Sequence, residues 1–218
     1  FNILKEAELV NFDLIEETPY PKEKLDIVFV EGNPIRKEDV DILKEVRKKS
    51  RILVVLGNCA ALGGIPEMKN YQGKEKTIRH IYKNLKNIAN PDIKEIDNFV
   101  KVDFTIPGCP INNEEFLKQV KELLKGKVPK IAQKPVCLEC PYWGKEKCFL
   151  RRKEPCFGPI TLAGCDAICP KSEFPCYGCR GPLKNIKPAG FLKTLEKMSS
   201  KEEIDDDLEL YGIKDMID

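Results

Sequence analysis

Eight of the ten cysteines in this 218-residue chain fall in one block. Their order is Cys137, Cys140, Cys148, Cys156, Cys165, Cys169, Cys176 and Cys179. A C-x-x-C pair lies at each end of the block, and such a pair lets two thiolates face one metal centre. Prolines and glycines flank the cysteines, and the tight turns that they favour point backbone N–H groups toward sulfur. Eight ligands divide into two sets of four, enough for two 4Fe–4S clusters.

Two other interpretations of the block remain open at this level. A disulfide framework would use an even number of cysteines, although disulfide scaffolds are usually far shorter chains. Two four-cysteine zinc sites would also use C-x-x-C pairs, although the intermediate spacings of seven and eight residues differ from the paired-knuckle pattern. The same residues therefore predict either a redox protein or a zinc-stabilised interaction module.

The two remaining cysteines occupy equivalent places after predicted strands. Cys59 follows the strand ILVVL in GNCAALGG, and Cys109 follows the strand VDFTI in PGCP. Glu31 ends a third strand, in VFVEGNP. Because the carboxyl ends of parallel strands meet at one edge of a sheet, we expect these three side chains to share a site there. Two thiolates cannot complete a cubane, so its other ligands would come from a segment before Phe1 or from a partner chain.

The elements that must position these cysteines are predicted from periodicity. Three apolar runs, 26–30, 52–56 and 102–106, are typical of buried parallel strands. Helices are predicted over 37–48 and 113–125, the second with Asn112 or Asn113 as its N-cap. A further strand is predicted over 12–15. This pattern predicts an α/β fold with a parallel sheet, followed by an irregular cysteine-rich region.

We divide the chain into three parts by composition: a sheet domain over 1–128, a two-cluster domain over 129–188 and a helical, charged tail over 189–218. The middle part has too little apolar content to build a core of its own. The net charge of +2 gives no support for a nucleic-acid surface, and no apolar run is long enough to cross a membrane. The chain opens at Phe1 without a methionine, and we expect a strand to precede it.

Four segments carry a resemblance to a known family. These are VEGNP with Glu31, GNCAALGG with Cys59, PGCP with Cys109, and the long block from PVCLEC to FPCYGCRG. Together they span roughly Asp26 to Gly181. They resemble the small (delta or gamma) subunits of cytoplasmic NiFe hydrogenases, of the sulfhydrogenase and coenzyme-reducing types. One departure is Asn58, which stands where relatives usually have a small residue.

The resemblance implies a flavodoxin-like domain docked on a large subunit that carries the NiFe centre. It also implies three 4Fe–4S clusters that conduct electrons from that centre to a further redox subunit carrying flavin or iron–sulfur. Cys59 and Cys109 match ligands of the proximal cluster, whose other ligands precede Phe1. The distal cluster is matched by Cys137, Cys140, Cys148 and Cys156. The medial cluster is matched by Cys165, Cys169, Cys176 and Cys179.

No acid–base or nucleophilic set of catalytic residues stands out in this chain. His80 lies in the polar run TIRHIYKN and is interpreted as a surface residue. Glu31 is a candidate for proton transfer or for positioning the proximal cluster. The expected role is therefore that of a cytoplasmic electron relay, with catalysis on the partner. A quinone-linked or heterodisulfide-linked complex built on the same fold is the alternative within the redox class.

Overall fold

The structure, a computed structural model, describes residues 5–12, 22–72, 79 and 91–217. Within these ranges the sheet contains three parallel strands, β1 (Leu25–Glu31), β2 (Ser50–Leu56) and β3 (Phe104–Ile106), in the order β1-β2-β3. The register pairs Glu31 with Leu56 and Leu56 with Ile106, so the three strands end at the same edge. The predicted α/β class with a parallel sheet is confirmed.

Strand β3 is two residues shorter than predicted, because its first two positions lie outside the ladder. The Asp103 carboxylate accepts a hydrogen bond from the Leu53 N–H at 2.9 Å and forms an ion pair with Arg47. A side-chain acceptor thus takes the place of a backbone one at the entrance to the strand. The apolar periodicity of 102–106 could not reveal that a side chain replaces a backbone acceptor here.

Helices cover both faces of the sheet, as near-continuous apolar strands require. Helix α1 (Lys37–Lys49) has acidic residues in its first turn and basic residues in its last, which complements the helix dipole. Two short helices, α2 (Gly57–Leu62) and α3 (Gly64–Tyr71), follow β2 directly. Helix α4 (Asn113–Leu124) follows β3, and the Asn112 side chain accepts from the Glu115 N–H as its N-cap.

The C-terminal residues differ from the single helix and tail that we predicted. They form α6 (Ala189–Leu195), α7 (Lys201–Leu210) and a 3-10 turn (Lys214–Met216), after a short helix α5 (Ile168–Lys171) in the cysteine-rich region. Ser200 and Glu203 form a capping box at the start of α7. The physical reason for the difference is burial: a shared core joins this segment to the rest of the chain. Its members are Leu62, Phe157, Ile160, Leu195, Ile204, Leu208, Ile213 and Ile217.

The cysteine-rich region buries some apolar side chains, although we expected it to have too little apolar content to build a core of its own. Val136, Phe149 and Ala167 form one buried cluster with Cys156 and Cys176. No helix among the described residues is long and apolar enough to span a bilayer. His80 and most of the strand predicted over 12–15 lie outside the described residues.

Candidate iron–sulfur sites

Five cysteines of the block line one cavity. Four of them form what we call the first cysteine set: Cys137, Cys140, Cys148 and Cys156. Apolar side chains, among them Trp143 and Phe149, line the rest of the cavity. Burial raises the pKa of Cys137 to about 12, and the charges of the other three thiolates act in the same direction. The structure therefore brings together the four residues that match the distal cluster.

Backbone donors point at the sulfur atoms, as the turns around the cysteines predicted. The Cys176 N–H donates to Cys156 Sγ at 3.3 Å. Burial raises the pKa of Cys156, while this hydrogen bond and one from the Gly158 N–H lower it. A Cβ at Gly158 would lie 3.3 Å from Cys137 Sγ, so a side chain there would press on the cavity. Such N–H groups stabilise negative charge on a sulfur ligand.

The other four cysteines of the block, Cys165, Cys169, Cys176 and Cys179, form what we call the second cysteine set. Burial raises the pKa of Cys179 to about 11, and the N–H of Cys109 opposes this by hydrogen-bonding to the sulfur. The charges of Cys165, Cys169 and Cys109 raise it again. Three members of the second set thus lie close to one another, and Cys109 lies beside them.

Cys176 stands between the two sets. Its side chain is buried and lines the cavity of the first set. Burial raises its pKa, and the charges of both Cys156 and Cys179 contribute in the same direction. Its assignment to the medial cluster remains a prediction, because the residue contacts both groups.

Cys59, Cys109 and Glu31 converge at the carboxyl edge of the sheet, and we call this group the sheet-edge site. Burial has the largest effect on the pKa of Cys59 and raises it. The charge of Cys109 and, more weakly, that of Glu31 raise it further. The Asn33 side chain donates to the Cys59 carbonyl at 2.7 Å and so connects the residues after β1 to helix α2. The expected convergence of the three strand ends is confirmed.

Asn58 connects the sheet-edge site to the second cysteine set, a role that the sequence did not reveal. The residue is buried, and its side-chain amide donates to the carbonyls of Cys179 and Tyr211, each at 2.9 Å. Its backbone N–H donates to the Gly108 carbonyl at 2.9 Å, next to Cys109. A small residue at this position would lack the two side-chain bonds. The departure from relatives noted in the sequence is thus a cross-link between distant segments.

Glu67 is a second functional candidate that the sequence analysis missed. It is only 5% exposed, in helix α3, and burial raises its pKa to about 7, with the charges of Glu95 and Asp215 adding to the effect. A signal was present in the sequence, since Glu67 is the only charged residue between Arg51 and Lys69. A carboxyl group in an apolar run carries a strong desolvation cost when ionised.

We expect this carboxyl group to make stability fall as the pH rises. Its folded-state pKa of about 7 exceeds the ordinary value of 4.5, so the folded protein binds more protons between these two values. At ~1.4 kcal/mol per pKa unit, the loss of unfolding free energy reaches about 3 kcal/mol above pH 7. Glu67→Gln should therefore raise the free energy of unfolding at pH 8 and change it little at pH 4. Denaturant titrations at both pH values test this, with the exposed helix residue Glu38→Gln as control; an equal effect at both values would contradict it.

No three His, Cys, Asp or Glu side chains within the described ranges are arranged to hold a single metal ion. Thiolates around one zinc ion lie about 3.8 Å apart, given tetrahedral Zn–S bonds of about 2.3 Å. A cubane spreads its four thiolates more widely, because each binds a different iron. The absence of such a group among these residues therefore applies to sites for a single metal ion, and it does not apply to the wider spacing of cluster ligands.

The sequence matches the family described as NADH ubiquinone oxidoreductase, 20 Kd subunit, over residues 1–123. It is 35% identical over 186 residues to the delta subunit of sulfhydrogenase 2 of Pyrococcus furiosus, covering 84% of this chain and 77% of the relative. It is 34% identical over 208 residues to a subunit of the F420-non-reducing hydrogenase vhu of Methanocaldococcus jannaschii, covering 82% of this chain and 72% of that relative.

Among solved structures, a chain of an NAD+-reducing [NiFe]-hydrogenase in the H2-reduced state is similar at 25% identity with a TM-score of 0.45. That match covers 56% of this chain and 84% of the other. The sequence matches carry the assignment, since they extend over most of this chain and most of each relative. The chain belongs to the NADH ubiquinone oxidoreductase 20 Kd subunit family and, within it, to the delta-type small subunits of hydrogenases.

Proposed function

We propose that this chain is the electron-transfer small subunit of a NiFe hydrogenase. It relays electrons through 4Fe–4S clusters between a large subunit that carries the NiFe centre and a cofactor-reducing partner that carries flavin or iron–sulfur, in the cytoplasm. One observation supports the relay above all others. A series of cysteines, each near enough to affect the pKa of the next, extends from the sheet edge to the cavity of the first set: Cys59, Cys109, Cys179, Cys176 and Cys156.

The donor sets suit iron–sulfur clusters on chemical grounds. The first set offers four thiols, one buried and three half-buried, with apolar walls and N–H groups aimed at sulfur. The second set offers four more, and the sheet-edge site offers two. When bound, such clusters accept and release single electrons. The chain's own residues hold the ligands, exclude water and stabilise the negative charge on the sulfur atoms.

The sheet-edge site has an exposed apolar surface beside it. Ile65, the second residue of helix α3, donates its N–H to the Cys59 sulfur and is 52% exposed. Ile35, near Asn33, is 50% exposed. Large obligate interfaces are rich in apolar side chains. In our proposal this surface docks on the large subunit, so that electrons enter at the sheet edge and leave from the first set.

A quinone-linked complex is a second candidate, because the matching family is described by a NADH ubiquinone oxidoreductase subunit. The fold itself does not decide the coupled reaction. Hydrogen-dependent dye reduction by the purified complex separates the two candidates. Activity with hydrogen supports the hydrogenase; its absence from a complex with intact clusters would favour the quinone-linked enzyme.

Metal and sulfide analysis of the anaerobically purified complex tests the relay itself. We expect iron and acid-labile sulfide in near-equal amounts, with paramagnetic signals after reduction. A colourless protein that holds about two zinc ions and no sulfide would instead support the zinc-stabilised interaction module.

Replacing Cys109 with serine should slow electron transfer at its first step. Cys109 lies beside both Cys59 and Cys179, so its loss affects the sheet-edge site and the path beyond it. We expect hydrogen-dependent dye reduction to fall by roughly 10–100-fold, the range found when metal-site residues are altered. Unchanged dye reduction would refute the proximal assignment. Thr105→Ser, in β3 upstream of the cysteine, is the control for the strand.

A further inference from the structure

Arg180 is a buried cation among the cysteines, with a side chain that is 0% exposed. Its guanidinium binds both carboxylate oxygens of Glu115, at 2.7 and 2.8 Å. It also donates to the carbonyl of Pro107 at 2.7 Å and to those of Leu162 and Ala163 at 3.1 and 3.2 Å. Five hydrogen bonds thus hold the guanidinium, and the charge is held in one place.

The guanidinium is surrounded by segments that carry cluster ligands. Arg180 itself follows Cys179 in sequence, and two of the carbonyls that it binds lie two residues before Cys109 and two residues before Cys165. Gly164 packs so closely on the Arg180–Glu115 pair that a Cβ there would overlap both side chains. The ion pair therefore lies directly against Gly164, the residue that precedes Cys165.

The positive charge of Arg180 is held beside two ligand segments of the second cysteine set. Arg180 follows Cys179 directly, and a Cβ on Gly164, the residue before Cys165, would overlap the Nη2 atom of Arg180. A positive charge that stabilises a thiolate also stabilises an added electron on a cluster bound to that thiolate. The reason is that the thiolate and the added electron both place negative charge at the same site. In a buried site, little solvent screening weakens the effect.

We propose that Arg180 raises the reduction potential of the cluster held by the second cysteine set, and that Glu115 limits this rise. The inference rests on the proposed function, since it requires a cluster at that place. The step concerned is the gain or loss of one electron, with no bond made or broken in the protein. Arg180 acts as a fixed charge beside the relay and touches no substrate.

The test is a potentiometric titration of the purified hydrogenase complex, followed by electron paramagnetic resonance. A Cys165→Ser variant identifies which signal belongs to the second set. The signal of the first set is an internal reference, because Arg180 makes none of the hydrogen bonds described above to residues 137–156. Three variants are compared with the wild type: Arg180→Gln, Arg180→Lys and Glu115→Gln.

We expect shifts of opposite sign at the second set. Arg180→Gln removes the positive charge and lowers the potential, whereas Glu115→Gln removes the negative charge and raises it. Arg180→Lys keeps the charge and should stay close to the wild type. Shifts in the same direction in Arg180→Gln and Glu115→Gln, or no shift in either, would overturn the inference. If Arg180→Gln does not assemble, the sign of the shift in Glu115→Gln decides. Absence of any cluster from the wild type would instead defeat the proposed function.

Discussion

Replacing Cys176 with serine should stop electron flow through the subunit while sparing hydrogen activation on the partner. The residue lies between the two cysteine sets, in contact with Cys156 and near Cys179. A serine hydroxyl is a poorer iron ligand than a thiolate, so one cluster is lost and the path is interrupted at its middle. We expect hydrogen-dependent dye reduction to fall by at least about 100-fold. Isotope exchange between hydrogen and water, which needs only the NiFe centre, should stay at the wild-type rate.

The two assays must be run on the same preparation, because their ratio carries the result. Equal loss of both activities would show that Cys176 is needed for assembly rather than for electron exit. Ser172→Ala, at an exposed position of the same segment, is the matched control and should leave both rates unchanged. Iron content then distinguishes a lost cluster from a misfolded subunit.

Replacing Glu115 with alanine is expected to cost about 3–5 kcal/mol of unfolding free energy, the range for breaking a buried ion pair. The change leaves the Arg180 guanidinium buried without its carboxylate, and an unpaired buried charge is the expensive outcome. Gln at the same position would retain an acceptor and cost less. Denaturant or thermal unfolding of the purified protein measures the loss.

Glu114→Ala is the matched control for this prediction. Both glutamates lie in the first turn of helix α4, so their interactions with the helix dipole are similar, but Glu114 is exposed. We expect Glu114→Ala to change the free energy of unfolding by less than about 1 kcal/mol. A similar loss in both variants would mean that helix electrostatics, and not the pair with Arg180, determine the effect.

Local pattern was sufficient to predict the sheet and the site at its edge. Apolar runs locate strands, and parallel strands that end in cysteine or glutamate must bring those residues together. The four cysteines of the first set lie within 20 positions of one another, and their turns are local as well. These features follow from residues that are near in sequence or at equivalent ends of neighbouring strands.

Several features that sequence analysis missed depend on distant contacts. Arg180 meets Glu115 across 65 positions, and the Asn58 side chain meets the Cys179 carbonyl across 121. The charged, amphipathic C-terminal residues gave no sign of the core that they share with Leu62 and Phe157. Periodicity shows which face of a helix is apolar but not which surface will cover it.

The hydrogen bond from the Cys176 backbone to Cys156 has a consequence for how many electrons the subunit stores. A ligand of one proposed cluster donates to the sulfur of a ligand of the other, so added charge on either is felt by both. Two negative charges at such short range in a buried region repel strongly. In the proposed relay, an electron on one cluster would therefore lower the reduction potential of its neighbour, and a second electron would be harder to add than the first.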